Sequence, residues 1–527
     1  MPEKKSPPKR FAALLFVGLF LISLGFQIRS GAWRSDFGGH ADEGAHVVTS
    51  LMVRDYLGGG FRETWHPMRY AEAYYERFPK VALGHYPPGF YLVASAGLLP
   101  FRSGATLLVI MNLLGAGTGL LVWWFGRRIL EHDVSAVALA LLYVLMPQTR
   151  TYTSLVMADL LLVLLGALAA RSFLIFLRSG RSRDAFFFGL WAACAILTKG
   201  SGIGLALLPL FALILSGKWR QFFSPRLWLA PVPVLVLALP WMLLTMGITK
   251  EGMQESGILD WASAALPYYG EALIAEVGWL GVGALAAAFA FGGLQMLLRR
   301  QALRDEEAVL WALFACGMVI PLAIPAGLDQ RYLMPVIPSI LLLAASFIRR
   351  IAAERSPVLG IAAVCLFALM VLAETRRPVQ KLYTGATDAI FQVLKDADSG
   401  GREGKPSRAL AVSNAAGEGA LIAAAALHAP DSLVLARGTK LLSSSDWMGR
   451  GYQVAFETPD DLKTLLGEEQ INYLIIDPPA GDTSVAHWKV LHGWLEAGAV
   501  MSLRPIGEVP SWRRQVESRF SLYRVGG

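Results

Sequence analysis

Charge is scarce in this chain. Of its 527 residues only 17% are Asp, Glu, Lys or Arg, where soluble domains carry about 25%. With 54% hydrophobic residues, that shortage excludes a soluble enzyme and a disordered chain alike. Cysteine is nearly missing too. Cys194, Cys316 and Cys365 each lie inside an apolar segment, so neither a disulfide framework nor a thiolate metal site is expected. There is no G-x-G-x-x-G, no internal repeat, and no low-complexity stretch beyond the first ten residues. The net charge is +8, but no basic stripe interleaved with aromatics exists, so nucleic acid is not expected as a partner.

What the chain has is long apolar runs. LLLVLLGALAARSFLIFL is one of about a dozen, several near the ~20 residues that cross a bilayer as a helix. Alternating strands of an outer-membrane barrel give no such runs. The fold class is therefore a polytopic α-helical membrane protein. Spans are expected near 11–28, 105–126, 134–149, 156–177, 184–198, 202–217, 226–246, 272–298, 307–326, 332–348 and 357–373, a count of eleven that rises to twelve or thirteen if one is split. The run Phe11 to Ile28 follows MPEKKSPPKR and has no A-x-A site after it, so it reads as an uncleaved first span. Tyr86 to Phe101 is apolar but short and opens on Pro87 and Pro88; it reads as a helix dipping into the membrane.

The positive charges orient the spans. With the N-terminus in the cytoplasm, the inner segments collect Arg127, Arg128, Arg178, Arg181, Arg183, Lys218, Arg299, Arg300, Arg349 and Arg350, besides the basic N-terminus. The short outer loops hold Arg150, Lys199, Lys250 and Arg331. That asymmetry is the positive-inside pattern. It divides the chain into a membrane domain over 1–376, with outer loops at 29–85 and 247–271, and a C-terminal domain over 384–527, also outside. The latter alternates strand-like RALAVSN, SLVLA, INYLIID and FSLYRV with helix-like GALIAAAALHA, DDLKTLLGEE and HWKVLHGWLEAG. A small α/β domain with a mostly parallel sheet is expected. Thr458-Pro459-Asp460-Asp461 is a helix start: a cap, a proline at the first helical position and acids in the first turn. The loop SNAAGEGA reads as a strand-to-helix turn.

Charges beside an apolar span are costly and mark function. On the outer side they are Asp42 and Glu43 in HADEGAHV, Asp159 in VMADLLLV, Lys199 in LTKGSG, and Asp329 with Arg331 in LDQRYLMP, joined by His85 and Tyr86 in HYPPGFY. Each alone has a plain explanation: a solvated pair, a helix cap, or a headgroup anchor. Together they imply one polar site at the outer membrane face. Lys199 and Arg331 can hold a phosphate by charge-assisted hydrogen bonds, and a carboxylate such as Asp42 can take a proton from a hydroxyl. Asp42, Glu43 and Asp159 are equally candidates to share a divalent metal cation, so the cofactor is left open. Trp65, Tyr70, Tyr74 and Tyr75 in the first outer loop suit amphipathic helices that roof the site.

The series HADEGAHV, HYPPGFY, MADLL, LTKGSG and RYLMPVIP resembles, in order and over about residues 10–350, the GT-C superfamily of glycosyltransferases. Within it the protein O-mannosyltransferase and aminoarabinose transferase group (glycosyltransferase family 39-like) and related bacterial lipopolysaccharide-sugar transferases are most similar. The resemblance implies a GT-C helical bundle with an outer C-terminal domain, and a donor sugar carried on polyprenyl phosphate. It implies a glycan, lipid or protein acceptor of the cell envelope and a place in the bacterial inner membrane with the C-terminal domain periplasmic. By the same resemblance Asp42 and Glu43 are catalytic, and His85, Tyr86, Lys199, Asp329, Arg331 and Tyr332 bind substrate. Asp42 and Asp159 are the candidate metal ligands. Members of the group often carry a lysine before the proline of the PP motif; Tyr86 stands there in this chain. A transporter or flippase, and a polymerase or ligase of lipid-diphosphate-linked glycans, are the alternatives.

Overall fold

A computed structural model describes residues 9–252, 256–298, 301–399, 406–444, 451–477, 485–500, 502–513 and 516–526. Of the charges that orient the spans, Lys4, Lys5, Arg299 and Arg300 lie outside the described residues. The chain opens with α1 (Lys9–Arg29). The expected first outer loop then folds into α2 (Glu43–Gly58) and α3 (Pro67–Arg77). The helix α4 (Gly89–Leu98) has ten residues, about 15 Å of rise, so it is too short to cross a bilayer. Next come α5 (Gly104–Ile129), α6 (Asp133–Leu145) and α7 (Pro147–Ser154). Pro147 cannot donate to the ladder, and the α6–α7 pair bends there by 55°. A tight hairpin joins α8 (Asp159–Ser179) to α9 (Ser182–Thr198). A 3₁₀ stretch, Gly200–Leu207, leads into α10 (Leu208–Leu215). The turn α11 (Pro231–Pro233) continues through a π-helical segment into α12 (Leu239–Glu251). The membrane part closes with α13 (Ile258–Leu298), α14 (Asp305–Ala323), α15 (Ile337–Ala353) and α16 (Pro357–Glu374).

Among the described residues seven helical stretches are long and apolar enough to cross a membrane, Leu227–Glu251 among them, and eight if the bent pair counts as one span. The other three expected spans fall on α9 and α15, at 17 residues each, and on Gly200–Leu215. At 1.5 Å per residue a 17-residue helix covers about 25 Å, at the short limit for a ~30 Å hydrocarbon layer. The second outer loop departs from expectation. Most of it is helical, because α13 begins at Ile258 and runs 41 residues. It is broken at Gly278, where φ is 73° and ψ 167°, a conformation that glycine adopts at no steric cost. The Glu374 carboxylate accepts hydrogen bonds from the Trp279 and Leu280 amides just past the break and so caps the second half as a separate helix.

The two ends of the bundle differ. One is laced by ion pairs that tie its helices and connecting segments together: Arg127 with Asp133, Arg178 with Glu306, Lys218 with Asp305 at 2.8 Å, and Arg350 with Glu307 at 2.5 Å. The other carries the starts of α2, α8 and α15, the ends of α9 and α14, and the loops between them. Because α8 and α9 form a hairpin, the first residue of one and the residue after the other meet at this second end.

Beyond α16 lie β1 (Tyr383–Thr384), α17 (Ala386–Ser399), β2 (Ser407–Val412), α18 (Ala415–His428), β3 (Leu433–Arg437), α19 (Gly438–Leu441), β4 (Ser443–Ser444), β5 (Gln453–Val454), α20 (Pro459–Glu468), β6 (Tyr473–Ile476), α21 (Ala486–Glu496), β7 (Leu503–Arg513) and β8 (Val516–Val525). The main sheet has the order β1-β7-β8-β6-β2-β3. Its β6-β2-β3 half is parallel and its β1-β7-β8 half antiparallel. The sheet is therefore mixed rather than mostly parallel: β8 returns from β7 as a hairpin instead of crossing over on a helix. The expected start of α20 is in place, with Thr458 and Asp461 forming a reciprocal capping box.

This domain is not tethered at a distance. Helix α18 packs along α2 so closely that a Cβ on Gly44 would lie 2.4 Å from the Gly419 carbonyl oxygen. Lys80 donates to the Ala415 carbonyl at 3.1 Å, Arg102 to that of Ala426 at 2.7 Å, and Arg77 to that of Pro430. The Asp36 carboxylate accepts from the Ala386 amide and the Thr387 hydroxyl at the start of α17.

Candidate active site

Asp42 precedes α2, and its carbonyl accepts the His46 amide at 2.9 Å, which sets where the helix begins. Its Oδ2 is the centre of the site. The Arg331 guanidinium lies 2.9 Å away through Nη1, and the Tyr86 hydroxyl donates at 3.0 Å. His40 stands 3.9 Å behind the same oxygen and 3.6 Å from Asp329. Burial by itself would raise the Asp42 carboxyl, but Arg331 and then His40 hold it well below the usual range. Burial and Asp42 push Tyr86 far up, so the phenol keeps its proton and stays a donor.

Arg331 sits in a 3₁₀ turn, Gln330–Leu333, that Asp329 caps by accepting the Arg331 amide at 3.0 Å. Asp329 also approaches the guanidinium, with Nε 3.1 Å from Oδ2. The turn is short and begins beside α14, so the arginine projects between the carboxylates of Asp42 and Asp329 rather than into solvent; it is 7% exposed. The following Tyr332 turns its ring under two cations, Lys199 at 4.6 Å and Arg331 at 5.5 Å.

Lys199 caps α9 in extended conformation and reaches Asp159, the first residue of α8, at 2.6 Å. Both are buried, and the second Asp159 oxygen has no hydrogen-bond partner. Three glycines allow this approach. A Cβ on Gly89, in the HYPPGFY turn, would stand 2.7 Å from the Leu197 carbonyl oxygen. One on Gly202 would stand 2.6 Å from the Ala195 carbonyl carbon, and one on Gly204 2.8 Å from the Cys316 carbonyl oxygen. The PPG and KGSGIG sequences are therefore packing devices that fold chain back against α9 and α14 on either side of the lysine.

Asp159, Lys199, Arg331 and Tyr332 form the polar head of a cavity whose walls are apolar: Leu162, Val163, Leu205, Leu313, Ile320 and Pro335 line it between α8, the 3₁₀ stretch and α14. A charged head on an apolar groove matches an amphiphile with an anionic end.

Of the residues expected at the site, Asp42, Tyr86, Asp159, Lys199, Asp329, Arg331 and Tyr332 converge. Two lie elsewhere. His85 is half-buried, and the charge that acts on it is Glu251 at the end of α12. Glu43 is fully buried and turned away from Asp42: its carboxylate accepts the Gly39 and Val156 amides and pairs with Lys381 at 3.2 Å. That arrangement bears on the metal expectation. Asp42 and Asp159 are each already matched to a cation, Glu43 is taken by Lys381, and no group of three or more His, Cys, Asp or Glu converges to hold a metal among the described residues. The donor set does not fit a metal.

Two histidines belong to the site although nothing singled them out. His40 bridges Asp42 and Asp329 as described. His46 is fully buried, with Nδ1 3.1 Å from the Tyr91 hydroxyl and its ring edge-on to Tyr86 at 4.7 Å. Burial lowers it to about 4. The signal was present in HADEGAHV, where His46 falls one helical turn after Asp42 and so shares its face.

A family model described as dolichyl-phosphate-mannose-protein mannosyltransferase matches residues 85–243, the stretch that carries Tyr86, Asp159 and Lys199. Among curated protein sequences none matches. Solved structures match the whole length. Apo ArnT from Cupriavidus metallidurans aligns at TM-score 0.55 and 15% identity, covering 97% of this chain and 98% of that one. ArnT from the same organism bound to undecaprenyl phosphate aligns at 0.54 and 13%, with 97% of each chain covered. The archaeal oligosaccharyltransferase AglB from Archaeoglobus fulgidus, in complex with an inhibitory peptide and a dolichol-phosphate, aligns at 0.52 and 13%, covering 89% of this chain and 69% of that one. The chain shares the fold of ArnT, a helical membrane bundle followed here by a C-terminal α/β region, as the motif series implied.

Proposed function

We propose that this chain is an integral-membrane glycosyltransferase that moves a sugar from a polyprenyl-phosphate donor to an envelope glycan, lipid or protein acceptor, with Asp42 as the base. The observation that carries the proposal is the pairing of a cationic head, Lys199 and Arg331, with an apolar groove, placed directly beside the half-buried Asp42 carboxylate. The polyprenyl tail lies in the groove and the phosphate at its head. A polyprenyl phosphate is a stable leaving group, so no strong general acid is required. What the reaction needs is cations where charge develops, and Lys199 and Arg331 supply them.

Arg331 links the two halves of the chemistry. In the free protein it holds Asp42 ionised and weakly basic. When a donor phosphate draws the guanidinium toward itself, Asp42 loses its strongest partner and becomes a better proton acceptor. The acceptor hydroxyl then attacks the anomeric carbon on the face opposite the phosphate, with inversion, as its proton passes to Asp42. Tyr86 keeps the carboxylate aimed throughout, and Tyr332 supports both cations from below. The site faces the periplasm of a bacterial inner membrane in this reading, because the ion-paired end of the bundle carries the positive excess.

The test is a panel of labelled undecaprenyl-phosphate sugars supplied to membranes containing the protein. Label entering an acceptor, with free undecaprenyl phosphate released, is the expected result, and the product should carry the opposite anomeric configuration to the donor. Movement of the intact lipid across the bilayer without sugar release would instead identify a flippase. Transfer only from lipid diphosphates would identify a polymerase or ligase.

A further inference from the structure

One fully buried and well-bonded carboxylate beside the site is not used by the proposed chemistry. Glu43 Oε2 accepts the Gly39 amide at 2.8 Å; Oε1 accepts the Val156 amide at 3.1 Å and pairs with Lys381 at 3.2 Å. Lys381 is equally enclosed, at 4% exposed. Its ammonium donates to the Asp36 carbonyl at 2.9 Å and faces the Phe37 ring at 5.6 Å. Its stem lies over Gly39, where a Cβ would stand 2.9 Å from Cδ. Its own amide donates to the Ser30 carbonyl at 2.9 Å.

The pair joins three segments. One runs from Asp36 to Asp42. The second, at Val156, leads into Asp159 and so to Lys199. The third is the link between α16 and the C-terminal sheet, which supplies Lys381. The domain has separate anchors to the same region: Asp36 holds the start of α17, and Asp36 N donates to the Tyr383 carbonyl at 2.7 Å. These anchors do not use the Lys381 ammonium, so removing its charge leaves them in place while it removes the tie between Glu43 and the Lys381 link.

We infer that Lys381, through its buried pair with Glu43, is a positioning residue that sets Asp42 against the Asp159–Lys199 head, making the C-terminal link a working part of the active site. The inference rests on the reading of Asp42 as the base. Neither partner meets the reacting atoms; they act by fixing backbone. Displacing a reacting group by about 1 Å can cost ~100-fold in rate, whereas a phosphate held by Lys199 and Arg331 does not depend on that segment's position.

The experiment uses the full chain in lipid nanodiscs with the donor identified by the panel. Lys381→Met and Glu43→Gln are each expected to lower kcat by ~100-fold with donor KM changed by no more than about threefold. Binding of undecaprenyl phosphate alone should be retained, and Lys381→Arg should recover part of the rate. The double variant Lys381→Met/Glu43→Gln leaves no unpaired buried charge; it should fold even where a single variant does not, and should be no slower than the slower single. Wild-type kcat in Lys381→Met, a parallel loss of undecaprenyl phosphate binding, or a double variant with the product of both losses would overturn the inference. Asp42→Asn separates the two ideas: its full activity sinks the site reading itself, whereas an inactive Asp42→Asn beside a fully active Lys381→Met sinks this inference alone.

Discussion

Replacing Arg331 by methionine keeps a side chain of similar length and removes the charge from the centre of the site. In the structure that charge serves Asp42 at 2.9 Å, Asp329 at 3.1 Å and the Tyr332 ring. Two losses follow. The leaving phosphate loses a donor whose removal from comparable sites costs ~3–4 kcal/mol, or 10²–10³ in kcat. Asp42 keeps its burial but loses the cation that counters it, so its carboxyl rises from its depressed position. The sign is fixed by that direction. In the wild type Asp42 is ionised across the working range and contributes no acid limb; in Arg331→Met the base becomes protonated as pH falls, and an acid limb enters the profile of kcat/KM. Arg331→Lys should retain more rate, since it restores charge without the planar fork. The assay is sugar transfer from the identified donor between pH 5 and 8 on protein whose melting is checked at each pH. Activity of Arg331→Met within a few-fold of wild type, or a large loss with the wild-type pH profile, would refute the coupling between Arg331 and Asp42.

Other consequences are open to direct measurement. His46 is fully buried and lowered to about 4. Its depressed pKa favours the neutral ring, so stability is complete above the unfolded value of about 6.5 and is lost as pH falls from there toward 4, by up to ~3 kcal/mol. His46→Gln should flatten that dependence in thermal melts between pH 7 and 4; an unchanged slope would mean another group is responsible. Gly44→Ala places a Cβ against the Gly419 backbone and should lower stability by ~1–3 kcal/mol through overpacking, whereas Gly59→Ala, with open space around it, should cost less. Equal melting temperatures for the two would contradict the close contact of α2 with α18.

The residues that the sequence exposed at the site share one property. Asp159, Lys199 and Arg331 border apolar runs, where an uncompensated charge is expensive, and each is found with a partner. Asp42 and Tyr86 were visible through their motifs. Glu43 and His85 shared those motifs yet face other groups, because adjacent positions at a helix start or a turn project in different directions. His46 was missed because a lone histidine on a short helix reads as solvated. Lys381 carried no signal at all: its partner is 338 positions away, and hydropathy falls off just where it occurs. The same logic applies to the fold. Continuous apolar runs gave the spans. The first part of α13 was read as loop because Asp260, Pro267 and Glu271 interrupt its apolar face. Strand β7 was missed because Pro505 and Pro510 argue against a central strand; the structure accommodates them because β1 pairs only with Trp512 and Arg513, leaving that stretch of β7 as an edge.

We propose Asp42 as the base of a sugar transfer whose donor phosphate rests on Lys199 and Arg331. The most direct measurement compares wild type and Asp42→Asn for transfer from the undecaprenyl-phosphate sugar that the panel identifies, with binding of undecaprenyl phosphate measured on the same preparations. Loss of transfer in Asp42→Asn, with the lipid still bound, is the predicted result. Undiminished transfer by Asp42→Asn would contradict it.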